Sequence, residues 1–256
     1  MCGRLNVTAD PLAALLMEAF GIAATPETNH NLAPSEPLLV VRAAPAGNYE
    51  SRVMRWWLTP SWSKELNTRY AMFNARSETL AQKRAFAKPF RSQRCLVPVT
   101  GYYEWQTRQR EKLPFYVRAA QDQGLMLAGL WDSWTNPATG ERIDSCTIVT
   151  SAAHDDLRAL HHRQPVFLSS AQAKAWLEPD VDPASLMPLF APHLPVPLAL
   201  DPVSSYVNNA RQKSSRALVP IAPTLPVDRH LADLLASEDG RTRSQVPQHG
   251  DFFEDS

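Results

Sequence analysis

The sequence predicts an α+β fold around a curled, mostly antiparallel sheet with a barrel-like core. Three observations point there. Short segments rich in β-branched and aromatic residues recur through the middle of the chain, each bounded by turn residues. Helical patterns are few and are inserted between those segments. The regular strand–helix alternation of a parallel sheet is missing. The 256 residues can bury a large core. No linker divides the first 222, so residues 1–222 read as one domain. Residues 223–256 read as an acidic, flexible tail outside the core.

The elements follow in order. Thr8 is placed to cap a first helix, with Pro11 early in it and Leu12, Leu15, Leu16 and Phe20 on one face. A loop rich in Asn and Pro runs from Ala24 to Pro37. Leu38–Arg42 and Arg52–Leu58 read as strands. Ser77 is placed to cap a helix reaching about Phe86. Arg94–Val97, Tyr102–Gln106, Phe115–Arg118, Leu125–Leu130 and Cys146–Thr150 are further strands. Ala153–Leu160 looks helical, Val166–Leu168 extended and Ser170–Leu177 helical again.

Composition removes several function classes. Lys and Arg number 26 and match 26 Asp and Glu, which excludes a uniformly basic nucleic-acid coat protein. A local basic face remains: residues 51–118 carry 14 basic and 4 acidic side chains, whereas the stretch from Pro223 onward carries 3 and 7. No segment approaches the roughly 18 uninterrupted apolar residues of a membrane helix, and no signal peptide opens the chain. Cys2, Cys95 and Cys146 are far apart and odd in number, without a CxxC pair. A zinc ribbon and a disulfide framework therefore lack support, and a reducing, cytoplasmic setting fits. Dinucleotide, P-loop, zinc-protease and nucleophile-elbow motifs are absent.

Four blocks could carry chemistry. The first is Met1-Cys2-Gly3-Arg4. Position 2 of a chain is often an arbitrary, frayed residue. Yet aminopeptidases remove Met1 when a small residue follows, and Cys2 would then carry an α-amine and a thiol together. That amine titrates near 7.7–8.0, roughly, so a useful fraction is neutral at pH 7. The thiolate is strongly nucleophilic. A 1,2-aminothiol condenses with an aldehyde to an imine and closes to a thiazolidine; it can also attack an acyl group.

The second block is Asn74-Ala75-Arg76-Ser77-Glu78-Thr79. Helix capping accounts for Ser77 and Glu78. Asn74 can orient a substrate by giving and accepting hydrogen bonds, and Arg76 can clamp a phosphate. In the third block, Arg94–Trp105, Glu104 sits among aromatics. It is either an outward carboxylate on an edge strand or a carboxyl of raised pKa serving as acid and base. Cys95 reads as core packing. The fourth is Leu160-His161-His162-Arg163-Gln164-Pro165. A histidine there caps a helix or shuttles a proton, and Arg163 offers a second phosphate contact. Trp56, Trp57 and Trp62 lie in the basic segment, where aromatic and cationic groups can hold unstacked bases.

Taken together, these blocks resemble the SRAP family, the SOS-response-associated peptidases that act as abasic-site shields. The resemblance rests on MCGR at the start, NLAPSE at Asn31–Glu36, WWLTPSW, NARSET, RCLVPVTGYYEW, HHRQP, and PVSSYVNNAR at Pro202–Arg211. It covers about residues 1–220, and the joint order is specific where each block alone is not. It implies that Cys2, exposed by loss of Met1, condenses with the ring-opened aldehyde of an abasic site in single-stranded DNA. The product is a thiazolidine crosslink. Glu104 would assist ring opening and proton transfer, His161 would act beside it, and Asn74 would position the Cys2 amine and the sugar. Arg4, Arg76 and Arg163 would hold phosphates; Pro34 and Trp62 would support unstacked bases. A monomer without cofactor or metal is expected, and the resemblance implies peptidase chemistry with Cys2 as a self-processing nucleophile.

Three positions depart from the family pattern. Trp57 stands where Gly is usual, His162 where Asp or Asn is usual, and Gln164 where Met or Arg is common. Two other readings of the residues compete with capture of abasic sites. One is an N-terminal-nucleophile cysteine peptidase, and the other is a noncovalent single-strand-binding module.

Overall fold

The computed structural model describes residues 2–66, 69–108 and 111–237. The chain opens with β1 (Leu5–Val7), α1 (Ala9–Phe20), β2 (Asn29–Leu32), β3 (Pro37–Ala43), β4 (Tyr49–Trp56) and β5 (Asn74–Arg76). Then come α2 (Arg84–Ser92), β6 (Arg94–Val99), β7 (Gly101–Arg108), β8 (Glu111–Ala119), β9 (Leu125–Thr135) and β10 (Arg142–Ala152). The described chain ends with α3 (Asp155–Arg158), β11 (Arg163–Pro165), α4 (Ser170–Leu177), β12 (Leu198–Pro202), β13 (Leu225–Pro226) and α5 (Leu231–Ser237).

Two sheets make the fold α+β. In one, β4, β3, β6, β9 and β10 pair in that sequence, and β10 returns to β4, so five strands close into a barrel. Closure removes the exposed strand edges that invite aggregation. Only β10–β4 is parallel within that ring. In the other sheet six antiparallel strands run in the order β13-β12-β8-β7-β1-β2. The curled, mostly antiparallel sheet expected from the sequence is thus present.

Alternation along β6 shows how the core divides. Cys95, Val97 and Val99 join Leu5, Val117 and Leu200 of the second sheet in one cluster. Leu96 points the other way, into a cluster with Leu16 of α1, Phe86 and Phe90 of α2 and Trp176 of α4. Arg94 is buried and fastens two helix ends. Its guanidinium donates to the carbonyls of Phe90 (2.8 Å) and Arg91 (2.6 Å), to Trp176 (2.7 Å) and to Glu178. These are carbonyls that helix C-termini leave unsatisfied.

Several local expectations need correction. The helix expected from Ser77 to Phe86 is instead a single 3-10 turn, Ser77–Thr79, followed by α2 from Arg84. Ser77 is buried and caps nothing; the apolar face of Phe86, Pro89 and Phe90 decides where the helix lies. The helix expected over Ala153–Leu160 is only α3, Asp155–Arg158. The Asn- and Pro-rich loop contains β2, and β1 lies beside the N-terminus, where no strand was expected. Thr8 stands at the start of α1 but makes no side-chain cap bond, while Gly21 (φ 66°) closes the other end.

The expected tail starts too early. β13 pairs with β12, and Leu225, Val227, Leu231 and Leu235 enter the main core. The apolar spacing of Leu231, Leu234 and Leu235 outweighs the acidic composition of this stretch. The rest of the expected tail, residues 238–256, lies outside the described residues.

Candidate active site

β1 is short, and that shortness builds the site. It pairs with β7 only at Leu5↔Tyr102 and Asn6↔Gly101. Beyond it, Tyr103 N–H donates to the Arg4 carbonyl (2.9 Å), which draws residues 2–4 along the continuing edge of β7. Gly101 is required at this crossing: a Cβ there would stand 2.5 Å from the Tyr116 ring.

Cys2 is 1% exposed in the chain that carries Met1. Its carbonyl accepts a hydrogen bond from Asn74 Nδ2 at 2.7 Å. Asn74 is held by β5, which runs parallel to β10 with Asn74 opposite Ile148. The amide's Oδ1 is buried and has no hydrogen-bond partner among the described residues. Burial raises the Cys2 thiol pKa, and the nearby Glu104 carboxyl raises it further. The resting sulfur is therefore a thiol rather than a thiolate.

Glu104 is 5% exposed on β7, opposite Phe115 of β8. Its Oε1 accepts the Trp105 N–H at 3.2 Å. His161 follows α3 and is half-buried. Its Nδ1 lies 3.0 Å from the Arg163 N–H and 3.1 Å from the Arg163 carbonyl, so the backbone of β11 fixes the ring. Its other face stacks on His162, with centroids 4.3 Å apart. Burial lowers the His161 pKa below 6.5, and the Glu104 charge opposes that shift. Neutral imidazole is the form held near pH 7.

Arg4, Glu104, Trp105 and His161 meet in one pocket of about 470 Å³, with Thr107, Lys112 and Asn208 also lining it. Arg4 Nη1 donates to Asn31 Oδ1 (2.6 Å) and to the Val207 carbonyl (2.8 Å). Its guanidinium lies 5.8 Å from the Trp105 ring centre, and Trp105 Nε1 donates to Asn208 Oδ1 at 2.7 Å. A second cavity, of about 450 Å³ between α1 and the start of α4, holds none of the expected site residues.

The other expected residues lie outside the pocket lining. Arg76 is exposed at the end of β5. Arg163 has a side chain only 9% exposed; it forms a bidentate pair with Glu78 and donates to the Thr150 carbonyl (2.6 Å). Pro34 is half-buried in the turn after β2, next to Ser35 in the left-handed region (φ 78°). Trp56 is core, Trp57 packs on Phe73, and Trp62 is 49% exposed with the Arg84 guanidinium 4.2 Å from its ring centre. The Trp62 loop is tied down by Ser61 N–H to Asp132 (2.8 Å), Thr59 N–H to Ser145 (2.8 Å) and Trp134 Nε1 to the Ser63 carbonyl (2.8 Å). Cys95 and Cys146 are fully buried, in line with a packing role.

Sequence reasoning missed four supporting residues. Asn31 and Asn208 lie inside quoted motifs, so a signal existed. Glu78 was read as helix chemistry, yet it pairs with Arg163 across 85 positions. Lys112 carried no signal at all. Among the described residues no group of three or more His, Cys, Asp or Glu side chains could hold a metal ion. No described helix is long and apolar enough to cross a membrane.

The geometry defines a class: an α+β protein on a five-strand barrel, with the backbone of residue 2 pinned by an amide and a carboxyl and an imidazole in the adjoining pocket. Comparison with known proteins gives the family. Residues 1–210 match SOS response associated peptidase (SRAP), and the chain belongs to that family. It is 32% identical over 219 residues to abasic site processing protein YoqW of Bacillus subtilis, covering 84% of this chain and 97% of that one. It is 33% identical over 197 residues to abasic site processing protein HMCES of Gallus gallus, covering 68% of this chain and 58% of that one. A crystal structure of a Bordetella bronchiseptica protein superposes with TM-score 0.69 at 26% identity, covering 79% of this chain and all of the other. A Bacteroides thetaiotaomicron protein gives TM-score 0.70 at 20% identity over 84% of this chain and 98% of its own.

Proposed function

We propose that this chain captures abasic sites in single-stranded DNA by covalent reaction at Cys2. The observation that carries the reading is the Asn74–Cys2 hydrogen bond beside Glu104. The names of the relatives as abasic site processing proteins supply the substrate class.

Removal of Met1, by the chain itself or by an aminopeptidase, frees the Cys2 amine. Asn74 Nδ2 holds the Cys2 carbonyl, and its unpartnered Oδ1 is available to accept an amine N–H. Glu104 takes the proton of the anomeric hydroxyl while the ring oxygen picks up a proton from solvent as its bond to the anomeric carbon breaks, which opens the ring to the aldehyde. The amine adds to the aldehyde carbon, and the carbonyl oxygen departs as water after protonation by the same carboxyl. Burial keeps the sulfur protonated, so the amine reacts first. The sulfur then adds to the iminium carbon as its proton passes to Glu104 or to neutral His161, closing the thiazolidine. One water is lost overall, and no cofactor is called for.

Arg76 is offered to phosphates, and Arg4 and Arg163 join it where a phosphate displaces Asn31 or Glu78 from their guanidinium groups. Pro34 and the anchored Trp62 ring support unstacked bases. The protein acts in the cytoplasm as a monomer. The test is intact-mass analysis after mixing Met1-processed protein with a strand bearing one abasic site. An adduct of protein plus DNA minus one water is expected, and it should be absent with Cys2→Ala and with undamaged DNA. No adduct from protein shown to lack Met1 would sink this reading.

A further inference from the structure

We infer that Lys112 is a DNA-binding residue of this pocket and holds the backbone phosphate beside the lesion. The inference rests on the abasic-site reading and adds a residue to it.

The argument starts from which cations are committed. Arg4 spends Nη1 on Asn31 and Val207. Arg163 spends both terminal nitrogens on Glu78 and Thr150. Lys112 stands directly across from Thr107 on the β7–β8 hairpin, and both side chains line the pocket at its exposed rim. Its ammonium makes no hydrogen bond, ion pair or ring contact to another described residue.

The pocket floor gives the reason a cation belongs here. Glu104 is buried there, and a sugar brought to Glu104 brings its phosphates with it. Carboxylate and phosphate repel, and the water-poor floor screens them weakly. A flexible ammonium at the rim offsets that repulsion as a point charge and loses no existing partner. The base edge plays no part, so the contact is independent of sequence.

The test is binding before chemistry. A single strand carrying a tetrahydrofuran abasic analogue, which cannot open to an aldehyde, is titrated by fluorescence anisotropy. Lys112→Gln should weaken binding about three- to fivefold at low salt. It should flatten the dependence of log K on log salt by about 0.7, the single-strand value for one phosphate. Lys112→Arg should restore most of both. Replacing each phosphate that flanks the analogue by a neutral methylphosphonate should, at one of the two positions, erase the difference between wild type and Lys112→Gln. Unchanged affinity and slope in Lys112→Gln would overturn the inference, as would an equal loss on both neutral-backbone strands. A parallel crosslinking arm with a true abasic site separates the two claims. Loss of the wild-type adduct there with the Lys112 effect intact refutes covalent capture alone, absence of wild-type binding to the analogue overturns the Lys112 inference, and absence of both binding and adduct refutes both claims.

Discussion

Asn31→Asp should destabilise the protein strongly although it changes one atom. Asn31 is 0% exposed. Its Nδ2 donates to the carbonyls of Val207 (3.2 Å), Asn209 (3.0 Å) and Gln212 (2.8 Å), while Oδ1 accepts from Arg4 (2.6 Å). Nδ2 has two N–H groups shared among these three carbonyls, so at about 1 kcal/mol for each N–H about 2 kcal/mol is lost when Nδ2 is removed. The aspartate keeps its acceptor for Arg4 and gains about 1 kcal/mol there. It also faces three carbonyl oxygens with a second oxygen, a buried repulsion that more than offsets the gain. The net is about 2 kcal/mol or more, and for a domain of this size that lowers Tm by about 4–8 °C. Asn31→Ala loses the same donors without the repulsion and should fall no further than the aspartate. Thermal melting by circular dichroism, with urea midpoints as a check, reads the result. Because the same carbonyls position Asn208 at the pocket, adduct formation should slow in parallel. A Tm within 2 °C of wild type for Asn31→Asp would refute the hydrogen-bond argument.

Three further outcomes follow from the same geometry. Asn74→Ala should slow adduct formation by about 10- to 100-fold through loss of positioning, with little change in melting temperature; equal rates would remove Asn74 from the site. Burial lowers the pKa of both His30 and His161 below 6.5, so the unfolded chain takes up protons first as pH falls. Stability at these groups is therefore present above pH 6.5 and declines below it. Denaturation midpoints from pH 7.5 to 5.5 should show that decline, and His161→Gln should make it shallower. Asp132→Ala removes the buried acceptor of the Ser61, Ser133 and Gln93 donors. It should cost about 2–3 kcal/mol and loosen the Trp62 loop, seen as greater acrylamide quenching and weaker single-strand binding; unchanged stability would show that the loop is held elsewhere.

Local chemistry was legible in the sequence wherever side-chain type alone decided the structure. The runs at Arg94–Val97, Tyr102–Gln106 and Leu125–Leu130 form strands because β-branched and aromatic residues fill both faces of a buried sheet. Elements that depend on distant partners were not legible. β2 carries Asn29, His30 and Asn31, poor strand formers, and pairs because β1 lies against it. β13 and α5 look like tail by charge, yet the core has room for Leu225, Leu231 and Leu235. Closure of the barrel by β10 onto β4 is a long-range pairing that no local pattern announces.

The site shows the same division more sharply. Cys2, Asn74, Glu104 and His161 were singled out because each side chain has a chemistry that its local setting does not use up. Their meeting depends on a short β1 that hands residues 2–4 to β7, and on a parallel β5–β10 pairing that carries Asn74 to Cys2. What sequence could not supply is which cations are already engaged. Arg163 and Arg4 looked like equals of Arg76 as phosphate holders. In the fold Glu78 closes on the first and Asn31 with Val207 on the second, and only Arg76 stays exposed. A guanidinium with buried partners gives up those bonds before it holds a phosphate, whereas an exposed ammonium gives up only water. On the proposed function, that asymmetry moves the electrostatic weight of strand binding from Arg4 and Arg163 toward Arg76 and Lys112. It makes the Glu78–Arg163 pair a positioning element for His161, whose ring is fixed by the backbone of Arg163.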